Sequence, residues 1–164
     1  MTLCWQCIVK TFLLLAIANG APVLARKLFG SSFGWPVDFG IAFFDKRPLF
    51  GHSKTWRGLF ASVLMTMLLA PLVNIEMFYG ASLSVMAMLG DLLASFCKRR
   101  LGYRESSRCR MLDTIPEALL PLLVLHQPLE LSMLDVMLCV LLFFGLEIFL
   151  SPMLYRLHIR KRPY

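Results

Sequence analysis

Five apolar segments, joined by connectors that are by turns strongly basic and free of positive charge, restrict this chain more than any other feature. The segments run about 5–24, 58–73, 81–97, 115–126 and 134–154. Of 17 Lys and Arg residues, six lie in 25–57, six in 98–114 and four after Leu154, whereas 74–80 and 127–133 hold none. Only Lys10 sits apart. If every segment crosses a bilayer, the three basic regions share one side, and positive connectors favour the cytoplasm. The pattern predicts an all-α integral membrane protein with about five transmembrane helices and a long cytoplasmic loop between the first and second. Its N-terminus is expected outside and its C-terminus in the cytoplasm, in the cell's inner (plasma) membrane. Adding or losing one span would scatter the charges.

A 58% hydrophobic content and a mean hydropathy of +0.68 over 164 residues exceed what a soluble domain of this size can bury. A single membrane-embedded domain over 1–164 is expected, with cytoplasmic loops 25–57 and 98–114 and a tail 155–164. The net charge of +7 could suggest nucleic acid. The hydrophobicity points instead to anionic lipid and phosphate ligands. The first segment lacks a basic leader and reads as a retained span, not a signal peptide. Asn19, Gly20 and Pro22 predict a break or kink near its end. Cys4 and Cys7 have metal-like spacing, but no second Cys or His pair accompanies them, so they read as apolar filler. Pro116 and Pro121 suggest that the short fourth segment is tilted or only partly spanning, and Glu147 in the fifth could face a helix partner.

The stretch Gly90–Arg100 joins the end of an apolar run to a burst of positive charge. On a helix, Asp91, Ser95 and Lys98 fall at i, i+4 and i+7 on one face, with Arg99 beside them. An aspartate in a hydrophobic segment costs about 2.5–3.5 kcal/mol on insertion scales. One reading is an acid that reaches interfacial water and pairs with Lys98 or Arg99. The other is a carboxylate at a membrane surface, facing cations, where a metal and a phosphate could both sit.

The loop 25–57 is rich in Gly, Pro and aromatic residues, and long loops of that kind are usually functional. Gly51-His52-Ser53-Lys54-Thr55 lacks the spacing of a Walker motif. It does place two hydroxyls, a lysine and Arg57 at the start of a helix, where anions are favoured. Simple interfacial anchoring by Lys54 and Arg57 is the alternative. In the second basic connector, Asp113 and Glu117 are i, i+4. Thr114 and Glu117 have capping-box spacing and Pro116 suits a first turn, so Glu117 is either a helix cap or a metal ligand. His52, His126 and His158 show no mutual spacing for a metal site or a charge relay.

Asp91 and Asp113 thus end neighbouring segments on the basic side. Hard oxygen ligands suit Mg²⁺, which is often shared between one or two carboxylates and substrate phosphates. Phosphoryl and nucleotidyl transfer rely on positioning and charge stabilisation, which such a set can supply. A site at the membrane surface implies one lipid substrate and one soluble anionic one.

Gly90-Asp91-x-x-x-Ser95-x-x-Lys98-Arg99, followed by Asp113, resembles the core of the phosphatidate cytidylyltransferases. The blocks Pro36-Val37-Asp38-Phe39-Gly40 and Phe50-Gly51-x-Ser53-Lys54-Thr55-Trp56-Arg57-Gly58 resemble more specifically the small, five-span CDP-archaeol synthase branch, as do Asn19 and Pro22. The likeness covers about residues 16–123. It implies that CTP and a phospholipid acid, phosphatidic acid or an archaeal-type ether lipid phosphate, give a CDP-lipid and pyrophosphate with Mg²⁺. By the same resemblance Asp91, Asp113 and Glu117 would serve the metal. Lys54, Arg57, Lys98 and Arg99 would carry phosphate charge. Ser53, Thr55 and Ser95 would touch substrate, and Asn19 and Asp38 would position it or support the loop. A homodimer is left open. Two rivals have other signatures: a non-catalytic adaptor binding anionic lipid would not need Asp91 on the face of Lys98, and a transporter's charges should line a path across the membrane.

Overall fold

The computed structural model describes residues 3–103 and 109–156. Arg104, Arg108 and the tail beyond Arg156 lie outside the described residues. All five apolar segments are helical: α1 Trp5–Phe29, α2 Trp56–Leu69, α3 Met77–Arg100, α4 Arg110–Leu125 and α5 Met133–Arg156, with a 3₁₀ turn at Ala70–Val73. Among the described residues there are no strands, only isolated bridges between Pro36 and Thr55 and between Ala42 and Pro48. Among the described residues, three stretches, Trp5–Phe29, Trp56–Val73 and Met77–Arg100, are long and apolar enough to cross a bilayer.

The helices outrun the apolar segments because charge does not stop a helix. Arg26 and Lys27 close α1, and Lys98, Arg99 and Arg100 close α3. In the last turn of a helix, cations oppose the negative end of the macrodipole.

The helix does not break at Pro22: α1 continues through it to Phe29. Proline has no N–H, so the carbonyl of Ala18, four residues back, loses its helical donor. Ser62 on α2 fills the vacancy, its Oγ donating to the Ala18 oxygen at 2.6 Å. The same hydroxyl lies 2.7 Å from Ser84 Oγ on α3. A buried polar chain therefore ties three helices at the level of the carbonyl that the proline leaves without a donor.

Two glycines set how closely α3 approaches its neighbours. A Cβ on Gly80 would stand 2.5 Å from Ala70 Cβ and 2.9 Å from the Thr66 oxygen. A Cβ on Gly90 would stand 2.2 Å from the Pro116 carbonyl oxygen. Backbone-to-backbone packing of this kind is how helices associate where no hydrophobic force separates lipid from protein. On α4 the buried residues are Thr114, Glu117, Ala118, Pro121, Leu122 and Leu125, the i, i+3, i+4 stripe of an amphipathic helix. Of these, Ala118, Leu122 and Leu125 pack with Leu14, Leu83, Val136 and Phe143 in a core drawn from four helices.

Two sequence expectations fail at the helix starts. Thr114 and Glu117 form no capping box, because α4 begins a turn earlier at Arg110, with Cys109 as its N-cap. Thr114 instead donates its hydroxyl to Glu147 on α5, which gives that acid the helix partner expected of it. Cys4 and Cys7 are not mere filler but are joined by a disulfide. They flank the first turn of α1, with Cα atoms 5.3 Å apart, within reach of a bridge. Buried Asp135, whose Oδ2 accepts from the Ser132 N–H and hydroxyl, also takes the Cys4 N–H on Oδ1 at 3.2 Å and so joins the starts of α1 and α5.

Candidate active site

Asp38 builds the floor of the long loop. Its buried carboxylate accepts the N–H groups of Gly40, Phe50 and Gly51 at 3.0, 2.9 and 3.0 Å. Burial pushes its pKa up, yet those donors prevail and hold it below the ordinary aspartate value. With all three donors supplied by its own loop, Asp38 supports the loop, one of the two roles expected of it.

The loop returns to α2 through Thr55, whose hydroxyl is the N-cap, 3.3 Å from the Gly58 nitrogen. Thr55, expected as a substrate contact, accepts that bond and keeps its O–H to donate. Lys54 precedes it, pinned by hydrogen bonds between its carbonyl and the Val37 N–H and between its N–H and the Gly51 carbonyl. Its ammonium reaches both carboxylate oxygens of Asp91 on α3. Burial would lower the Lys54 pKa, but Asp91, aided by Glu117 and Asp113, holds it above the ordinary lysine value. The expected partner of Asp91 was Lys98 or Arg99. The pairing found is with Lys54, 37 residues away, because the loop folds back over the α3 terminus.

Lys98 pairs with Asp113 on α4, Nζ to Oδ1 at 2.5 Å. Glu117, one turn beyond Asp113, is buried within electrostatic range of Asp91, Asp113, Glu147 and Lys54. The close α3–α4 approach at Gly90 brings this set together: Gly90 abuts Pro116 and Glu117 on one side and is followed at once by Asp91. Ser95 is buried on the same helix.

Other expected site residues are placed differently. Arg57 donates to the carbonyls of Gly30 at 3.0 Å and Ser32 at 2.5 Å, clasping the loop where it leaves α1. Arg99 is buried and donates to the Tyr103 carbonyl at 2.8 Å, closing the turn after α3. Ser53 is exposed in the turn before Lys54. Asn19 presents a buried amide whose oxygen and nitrogen both lack a protein partner. That leaves its amide with hydrogen-bonding capacity for a ligand.

Sequence reasoning missed a second clasp. Arg47 Nη1 donates to the carbonyls of Arg99 and Arg100, each at 3.1 Å, satisfying the end of α3. Arg100 pairs with Asp45 at 2.5 Å and donates to the Pro48 carbonyl at 2.8 Å, with its guanidinium over the Phe43 and Phe96 rings. Long-range pairs leave no trace in spacing. The only local hint was an acid two residues from an arginine in a tight turn, where Asp45 accepts the Arg47 N–H at 3.1 Å.

The result is a set of oxygen and ammonium groups from one loop and three helices, at the basic end of the bundle. Among the described residues no three His, Cys, Asp or Glu groups converge to hold a metal on their own. Asp91 and Asp113 are hard donors, each neutralised by a lysine. That suits an ion shared between one or two carboxylates and a ligand's phosphates better than a cage of protein ligands.

The family model described as CarS-like, CDP-archaeol synthase, matches residues 5–164. The chain belongs to that family. It is 32% identical over 155 residues to the CDP-archaeol synthase of Staphylothermus marinus, covering 91% of this chain and 76% of the relative. It is 32% identical over 156 residues to that of Sulfurisphaera tokodaii, covering 90% and 89%. A solved structure described as "Structural insight into an intramembrane enzyme for archaeal membrane lipids biosynthesis" is similar with a TM-score of 0.73 and 27% identity, over 87% of this chain and 90% of the other. The expected family is therefore the one found, and this member of the CDP-archaeol synthase family is an integral membrane protein.

Proposed function

We propose that this chain transfers the cytidylyl group of CTP to the phosphate of a membrane lipid, forming a CDP-lipid and pyrophosphate. An archaeal-type ether lipid phosphate is the substrate the family name favours over phosphatidic acid. The observation that carries the reading is the pair of neighbouring lysine–carboxylate bridges, Lys54–Asp91 and Lys98–Asp113, with Glu117 beside them at the loop-covered end of an apolar bundle.

In the step proposed, a lipid phosphate oxygen attacks the α-phosphorus of CTP. The new P–O bond forms as the bond to the β-phosphate breaks, and pyrophosphate leaves with that electron pair. Asp91 and Asp113, with Glu117 alongside, would hold Mg²⁺, which when bound supplies charge neutralisation to the triphosphate. Lys54 and Lys98 exchange their carboxylate partners for phosphate oxygens as the nucleotide enters, so each ammonium goes from one anion to another. They stabilise the charge that grows on the leaving group. Asn19, with its open amide, would position a substrate. Arg57 and Arg99 act through the loop and the α3 turn that they clasp. On the charge pattern, the loop end faces the cytoplasm, where CTP is found.

Purified protein incubated with labelled CTP, Mg²⁺ and separate ester and ether lipid phosphates tests the proposal. CDP-lipid formed from the ether lipid in preference to the ester is the expected product. Binding of all anionic lipids with no CTP consumed would favour the adaptor reading.

A further inference from the structure

The loop 30–55 has two faces. The inner one carries Asp38, Arg47 and Lys54 against itself and the helix ends. The outer one carries Phe33, Trp35, Phe39, Ile41 and Phe44, all exposed, Phe44 by 96% and Phe39 by 70%. Phe33 and Phe39 have φ angles of 54° and 48°, left-handed backbone that bulky side chains rarely adopt. Asp38 and its three N–H donors hold the second of these turns.

These rings are continuous with the lipid-facing wall. The Phe39 centroid is 6.4 Å from that of Trp56, and Trp56 is 6.0 Å from Phe60. Trp56 is the first residue of a stretch apolar enough to cross a bilayer, and Phe60, one turn further in, is 69% exposed. Tryptophan at the first turn of a span marks the headgroup level, so Phe39, whose ring meets it at a tilt of 39°, lies at that level. Exposed Arg26, Lys27 and Lys46 belong to the same end and loop, and they match an anionic surface. An apolar patch of this kind, flanked by cations, has the make-up of an interfacial membrane-binding element.

We infer that the outer face of the loop is a membrane-docking surface whose aromatic rings lie in the headgroup layer of an anionic leaflet beside α2. The loop then roofs the Lys54–Asp91 pair from the lipid side and does not project into water. One consequence, which rests on the cytidylyltransferase reading, is that a lipid phosphate reaches Lys54 without leaving the headgroup layer.

Replacing Trp5 and Trp56 by Phe leaves Trp35 as the sole tryptophan. The protein is reconstituted in vesicles of phosphatidylglycerol and phosphatidylcholine brominated either near the headgroup or near the bilayer centre. The expected result is loss of Trp35 emission mainly with the headgroup-proximal bromines and little loss with aqueous iodide. Phe39→Ser with Phe44→Ser should reverse that order. Quenching by iodide and not by brominated lipid would overturn the inference by placing the loop in water. Protection from both would also overturn it, placing a second copy of the chain over the loop. The readout needs no turnover, so its failure is distinct from failure of the proposed activity.

Discussion

Ser62→Ala should expose how α1 tolerates Pro22. Ser62 Oγ meets the Ala18 carbonyl at 2.6 Å and Ser84 Oγ at 2.7 Å, both buried. Hydrogen bonds between membrane helices average about 0.6 kcal/mol and reach about 1.7 kcal/mol. Losing both contacts should cost about 1–3 kcal/mol. The share belonging to Ala18 arises only because residue 22 has no N–H to offer. In a Pro22→Ala background the new amide donates to that carbonyl along the helix, and Ser62→Ala should then cost about 0.6–1.7 kcal/mol less. The assay is a four-protein cycle by detergent or thermal unfolding in bicelles. Independent sites add within about 0.3–0.5 kcal/mol. A cycle that adds within that margin would refute the reasoning, since Ser62 would then not be compensating for the proline.

Gly90→Ala should drive α4 away, because the added carbon would meet the Pro116 oxygen at 2.2 Å. Overpacking costs about 1–3 kcal/mol, and spin labels on α3 and α4 should report a wider spacing. Asp38 has a lowered pKa, so its contribution is present above its unfolded value near 3.8 and lost as pH falls through the lower folded value. Protection of the Phe50 and Gly51 amides, taken relative to their intrinsic exchange at each pH, should fall as pH drops below about 3.8, and Asp38→Asn should remove that protection at neutral pH and leave no such step. Single cysteines at exposed positions 45 and 76 should be labelled from opposite sides of the membrane, 45 from the cytoplasm. Labelling of both from one side would end the proposed topology.

Much of the fold was legible because membrane helices must satisfy their backbones internally and must sort their charges. The five apolar segments gave five helices, and the Gly-Asp…Lys-Arg and Ser-Lys-Thr-Trp-Arg-Gly blocks gave the family. Pro22 misled because a local rule assumes no outside donor, and Ser62 is one. The Thr114–Glu117 spacing misled because it fits a cap as well as a buried helix face, and only packing against α3 and α5 distinguishes them. Asp91, expected at the end of its segment, lies two turns inside α3, which runs on to Arg100, and its partner lay in a loop whose fold depends on Asp38, Arg57 and Arg47. No periodicity encodes such contacts. Thr55 illustrates the converse, a hydroxyl in an anion-binding context that also caps its own helix.

The central claim is that Asp91 and its neighbours form a nucleotide site and not a structural clasp. Asp91→Asn keeps the volume and removes the charge, while Asp113 and Glu117 remain in electrostatic reach of Lys54. Pyrophosphate release from CTP and thermal unfolding should be measured on the same preparation across a Mg²⁺ titration. The account predicts stability within about 1 kcal/mol of the parent, because an amide is cheaper than a carboxylate in an apolar bundle. It predicts turnover lower by roughly 10- to 150-fold or more, the worth of a charge-assisted contact of about 1.5–3 kcal/mol, with little recovery at high Mg²⁺. A variant that unfolds readily yet still turns over CTP would contradict it, leaving the Lys54–Asp91 pair as a clasp between loop and helix.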